Sequence, residues 1–174
     1  MTVRTSRATG RSSQRRRITA SLLAVAQLGH AHWFFGNLYE AIVKVPDRLA
    51  AAPDLTVAGE PVTLKLLLRP GSPVRYYFPV GPVAIAAGLA ALLAGWDVPS
   101  DRRRLATASA CAVSGGAITV HLVRAVNIRL FFADQPLSPA EQKALLGVWY
   151  RWNAVRLVAV GGAWLAWQGI PRSN

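Results

Sequence analysis

Four long apolar runs, at roughly residues 18–45, 77–96, 105–128 and 148–169, constrain this chain more than any other feature. Each approaches or exceeds the ~20 apolar residues that an α-helix needs to cross the hydrocarbon core of a bilayer. Four such runs in 174 residues leave too little polar sequence to cover them in a soluble domain. The reading is an all-α fold, a membrane bundle of four transmembrane helices with up-down topology. Small residues in the second run (Ala84, Ala87, Gly88, Ala91, Gly95) and the pairs Gly115-Gly116 and Gly161-Gly162 would let helix backbones approach closely.

Charge then gives orientation and excludes one function class. The net charge of +12 belongs to a chain that is 52% hydrophobic and only 16% charged. The basic residues sit in the flanks of apolar runs, as topology determinants do, and not across an aromatic-studded soluble surface. That argues against nucleic-acid binding and for the lipid bilayer as partner. Arg4, Arg7, Arg11, Arg15, Arg16 and Arg17 precede the first run, Arg102, Arg103 and Arg104 lie between the second and third, and Arg172 follows the fourth. This bias predicts a multi-pass protein of the cell membrane with both termini cytoplasmic. The first run continues through Trp33-Phe34-Phe35 to Val45, longer than a cleaved signal core requires, so an uncleaved helix is expected. Cys111 is the sole cysteine and reads as a packing residue.

Two domains of behaviour follow. Residues 1–17 are basic and poor in apolar side chains, which predicts a disordered tail against anionic headgroups. Residues 18–170 form the transmembrane domain. The connection from Pro46 to Tyr76 is long for a bundle, and Val62, Leu64, Leu66 and Leu68 alternate with polar neighbours there, predicting a short extended segment. Ser138-Pro139-Ala140-Glu141 joins a serine N-cap, a first-turn proline and a capping-box glutamate, so the fourth helix starts outside the hydrocarbon.

The polar residues inside the runs coincide in depth. Asn37 and Glu40 lie near the end of the first, His121, Arg124 and Asn127 near the end of the third, and Arg151, Asn153 and Arg156 near the start of the fourth. Charges at such depth are expensive and face the bundle interior, so they are functional candidates. His30, Trp33, Asn37, Glu40 and Lys44 share one helical stripe, and Trp149, Asn153 and Arg156 share another. Glu40 is expected to meet Arg124 or Arg156, either as part of a site or as a structural ion pair. His121 reads as a general base, a metal ligand or a hydrogen-bonded core residue. Trp33 and Trp149 read as walls for a flat ligand or as interfacial aromatics, with Asn37, Asn127 and Asn153 bonding to a ligand or to one another. His30 and His32 point to different faces, and no second carboxylate stands at metal-binding spacing. No glycine-rich phosphate loop, dinucleotide fingerprint, nucleophile elbow or Cys-x-x-Cys pair is present. No metal and no cofactor is expected.

The run His32-Trp33-Phe34-Phe35-Gly36-Asn37-Leu38-Tyr39-Glu40, the pair Val126-Asn127, and Trp149 followed by Asn153 and Arg156 resemble the anthrone oxygenase-like family of small four-helix membrane proteins. The resemblance implies oxidation of a flat, hydrophobic anthrone by molecular oxygen without metal or flavin. It implies a base to remove the acidic proton, His121 or Glu40, and a cation or amide to hold the oxyanion: Arg124, Arg156 or Asn153. Where a histidine is expected in the fourth-helix motif, this chain has Asn153. Trp33 and Trp149 would enclose the rings. The competing class is a non-enzymatic membrane protein that binds or moves a small solute, or serves as an accessory.

Overall fold

The computed structural model describes residues 4–51, 68, 70, 72–132 and 137–170. All regular structure among them is helical. Helix α1 covers Arg4–Ile42, so residues 4–17, expected to be disordered, lie in a helix instead. Extending an existing helix adds one hydrogen bond per residue fixed, while only nucleation is costly, and arginine is a good helix former. The apolar segment thus nucleates a helix that the basic segment prolongs.

Helix α1 stops three residues before the expected end at Val45, and the cause is Pro46. A helix through it would lose a hydrogen bond and drive the proline ring into the carbonyl four residues back. Lys44 turns left-handed (φ 53°, ψ 46°), and Pro46 enters the first turn of the short helix α2, Val45–Ala50, where its missing N–H costs nothing. The alternating segment at 62–69, expected to be extended, lies outside the described residues except Leu68.

Helix α3, Pro73–Tyr77, is capped by Ser72, whose Oγ accepts from Val74 N at 3.2 Å, and leads into α4, Val80–Gly95. Helix α5 spans Arg102–Leu122, passes through a π turn at Val123–Asn127, and resumes as α6, Ile128–Phe131. Helix α7, Pro139–Gln168, opens with the expected capping box: Glu141 Oε2 accepts from Ser138 N at 3.0 Å and Ser138 Oγ accepts from Glu141 N at 3.3 Å. Hydrogen bonds from the Ser138 hydroxyl and backbone hold the Glu141 carboxyl below its ordinary range. Two helical stretches, Val74–Gly95 and Arg102–Phe131, are long and apolar enough to cross a membrane.

Helix α1 packs on α4 and α7, and α5 packs on the same two. Glycines mark the closest approaches. A Cβ on Gly29 would lie 2.5 Å from the Ala84 methyl, one on Gly115 2.7 Å from a Val160 methyl, and one on Gly161 2.9 Å from the Phe34 ring. Residue numbers run in opposite senses along each contact, as Gly95 beside Thr19 and Gly36 beside Tyr77 also show. At one end Arg15 pairs with Asp97, Arg102 stacks over Trp96, and Arg104 donates to the Gly169 carbonyl, so basic residues from α1 and α5 gather together.

Two apolar clusters hold the helices. One, near the Arg-rich end, contains Leu23, Ala87, Leu105, Ala163 and Trp167. The other contains Leu122, Val126, Leu145 and Trp149. Between them in sequence on α1, α5 and α7 lies a polar layer.

Candidate functional site

The polar layer is built on Arg156, which is only 6% exposed. Its guanidinium faces Asn153, one helical turn earlier on α7, and donates to Asn153 Oδ1 from Nε at 3.1 Å and from Nη2 at 2.6 Å. Nη1 reaches Thr119 Oγ1 of α5 at 3.5 Å, and that hydroxyl donates to the Gly115 carbonyl at 2.9 Å. Trp149, a further turn back, places its ring 5.8 Å from Arg156 Cζ. From α1, Asn37 is buried, donates from Nδ2 to the Trp33 carbonyl at 2.6 Å, and leaves Oδ1 without a partner. Below it His30 is fully buried, with Nδ1 2.7 Å from the Ala26 carbonyl, Nε2 unpartnered, and Trp33 and Trp167 rings at 6.0 and 6.3 Å. This interior is closed by packing: Trp33 and Trp149 are each 3% exposed.

A second face of α1 is open. His32, Gly36 and Glu40 follow at steps of four, so they line one edge of the helix. Opposite stand Tyr76 and Tyr77 of α3, and together with Phe35, Tyr39 and Val45 they enclose a cleft of about 570 Å³. Gly36 lets this happen, because a Cβ there would lie 2.7 Å from the Tyr77 hydroxyl. Tyr77 thereby hydrogen-bonds the Glu40 carboxyl, and the charge of Arg156 acts on both groups. His32 stacks on Tyr76 at 4.7 Å, and Tyr76 stands perpendicular to Tyr77 at 4.8 Å. The cleft is therefore aromatic-walled, with one carboxyl at its floor and one imidazole further along the same helix.

The segment that runs from α3 into α7 carries a family match. The profile described as anthrone oxygenase matches residues 74–166, just over half the chain. The chain belongs to the anthrone oxygenase family. No curated protein matches the chain, and no solved structure does. The matched anthrone oxygenase segment contains Tyr77, Thr119, Trp149, Asn153 and Arg156, whereas His32, Asn37 and Glu40 on α1 lie outside it.

The structure divides the residues expected at one site. It gathers Arg156, Asn153 and Trp149 in one layer on α7, and brings Glu40 within electrostatic reach of Arg156. Glu40 and Arg156 make no direct ion pair; among the described residues only Arg15 and Asp97 do. Trp33 and Asn37 lie on the buried face of α1. His121 and Arg124 are not brought in: both are exposed, and His121 packs on Trp152 at 4.9 Å. They share a helix face, but that face turns outward. The residue α5 turns toward Arg156 is Thr119. Asn127 closes the π turn with its Oδ1 buried and unpartnered. Among the described residues no three His, Cys, Asp or Glu side chains come together as a metal site requires.

Three contributors were missed from the sequence. Thr119 carries no charge and was passed over in a span read through His121. Tyr77 stands at the first position of the second apolar run, where the small residues that follow signal only close helix packing. His32 figures in the sequence only beside His30 and at the head of the family motif, with no role of its own. The step of four from His32 to Gly36 to Glu40 was the available clue.

Proposed function

We propose that this protein is an up-down bundle of four membrane-crossing helices, α1, α3–α4, α5–α6 and α7, with both termini cytoplasmic. In this reading it binds a flat, hydrophobic aromatic ketone of the anthrone type and oxidises it with molecular oxygen, without metal or organic cofactor. The observation that carries it is the Glu40–Tyr77 contact at the floor of an aromatic cleft, in a chain of this family. The antiparallel helix contacts and the arginines gathered at one end support the topology and orientation.

The chemistry needs little more than a placed base and a dry aromatic slot. An anthrone carbon opposite its ketone is acidic, because its anion is an aromatic enolate. Glu40 takes that proton, and Tyr77 fixes the carboxyl that receives it. The anion couples to oxygen at the same carbon, forming a C–O–O⁻ group that the Glu40 carboxyl protonates. Loss of the second C–H proton then sends its electron pair into a new C=O bond. The O–O bond breaks, and the departing hydroxide takes a proton to leave as water. One oxygen atom ends on carbon and the other in water, and the two C–H bonds supply all the electrons. Arg156, held by Asn153 and Thr119, fixes a positive charge near the reacting region. With His121 turned outward, the base assignment rests on Glu40. Tyr76, Tyr77 and Phe35 take the ring-lining role expected of Trp33 and Trp149.

Purified protein should convert an anthrone to its quinone with equal uptake of oxygen, at a rate unaffected by chelators. Glu40→Gln should lower that rate by roughly 10²–10⁴, the contribution typical of a general base. Turnover no faster than the spontaneous reaction removes the oxygenase reading. Saturable binding without turnover would instead establish the non-enzymatic class.

A further inference from the structure

Glu40 accounts for one end of the cleft, and His32 stands unexplained at the other. The two are eight residues apart on one edge of α1, about 12 Å along the axis at 1.5 Å per residue. Tyr77 lies between them across Gly36, its ring 6.4 Å from that of His32 and its hydroxyl on Glu40. His32 Nε2 is buried and has no hydrogen-bond partner. An unpaired buried polar atom costs free energy unless a ligand satisfies it. The ring is also held in place: Tyr76 stacks on it at 4.7 Å and an interplanar angle of 33°. An aromatic-backed imidazole that lines a ligand-sized cleft and keeps one packed-in nitrogen without a protein partner is a candidate hydrogen-bonding subsite.

We propose that His32 Nε2 is the hydrogen-bond donor to the ring ketone oxygen of the bound molecule, on the opposite side of the ring from Glu40. This rests on the oxidation reading above. The acidic carbon of an anthrone and its ketone oxygen lie at opposite edges of the central ring, and the cleft presents a carboxyl and an imidazole with a tyrosine face between them. When Glu40 removes the proton, the C–H electron pair spreads through the ring onto that oxygen. A donor already aimed at it stabilises charge that develops only then. Arg156, Asn153 and Thr119 are satisfied by one another inside the closed layer, which leaves the oxyanion role to a group that faces the cleft.

Two ligands of one skeleton test it: anthrone under argon, and dihydroanthracene, which lacks the ketone. The full chain in detergent should bind anthrone more tightly, and should exchange the acidic hydrogens of anthrone into heavy water. In His32→Phe the dihydroanthracene affinity should stay unchanged while the anthrone preference disappears. Exchange should slow by roughly 10²–10³, as when an oxyanion donor is lost. His32→Gln, which keeps an N–H donor, should recover part of both. The inference is overturned if His32→Phe keeps the ketone preference, or if it weakens both ligands equally, as a wall residue would. Glu40→Gln should lose exchange yet keep the preference, so the two failures separate. Wild-type protein that prefers anthrone but never exchanges or oxidises it would sink the oxidation reading alone.

Discussion

Helix α1 carries two polar edges with opposite fates. One, His30–Trp33–Asn37, turns inward and is sealed between α5 and α7, level with the Arg156–Asn153–Thr119 cluster. The other, His32–Gly36–Glu40, faces Tyr76 and Tyr77 and borders open space. Both contain a histidine with an unpartnered nitrogen, and the inward edge has the more completely buried residues. In the proposed reading, depth of burial is therefore a poor guide to the ligand site. The sealed edge meets side chains that lock helices together, whereas the open edge meets a volume that a ring can fill. In the proposed reading the polar layer locks the helices and fixes the Arg156 charge, and the cleft is where a ring has room.

Substitutions sharpen that contrast, beginning with the sealed layer. Asn153→Leu removes the oxygen that accepts two Arg156 donors and leaves a buried guanidinium with only its long bond to Thr119. Hydrogen bonds to charged groups contribute ~1.5–3 kcal/mol, so the detergent-solubilised protein should show a large drop in unfolding temperature. Its residual folded fraction should still bind aromatics. A stability loss near zero would mean that the layer does not lock the helices.

Gly36→Ala probes the open edge. The new methyl would meet the Tyr77 hydroxyl at 2.7 Å and ring atoms at 2.9 Å, so Tyr77 must move off Glu40. Misplacement on the scale of 1 Å can cost ~10² in rate. Turnover should fall by roughly ten- to a hundredfold, measured as oxygen uptake, with the melting temperature little changed. An equal loss of stability and activity would place Gly36 in the scaffold instead.

The smallest effects are expected where the sequence pointed most directly. His121→Ala and Arg124→Gln lie on an exposed face and should each stay within about 0.5 kcal/mol of wild type in stability, with turnover unaltered. A strong loss of turnover in either would return the site to α5.

That contrast also shows what sequence could and could not say. The capping box at Ser138 was legible because every atom of it lies within four residues. The all-helical class and the inward packing of Ala84, Ala87, Gly88 and Ala91 followed from run length and small-residue spacing. Helical periodicity puts His121 beside Arg124, but it states which residues share a face and not what that face meets. The π turn at Val123–Asn127 adds a local change in winding that no periodicity argument contains. At residues 4–17 composition alone does not contain the helix that continues into them from the apolar run. Tyr77 was passed over because its importance comes from Gly36, a partner 41 positions away that makes room for it.

Photo-crosslinking tests most directly whether the cleft, and not the sealed layer, holds the ligand. An azide-bearing anthraquinone should be bound to the full chain in detergent, irradiated, and its attachment sites read by mass spectrometry. Labels on Phe35, Tyr39, Tyr76 or Tyr77, displaced by excess anthrone, are the predicted result. Labels on Trp33, Trp149 or the α7 turn at Asn153 would contradict the account.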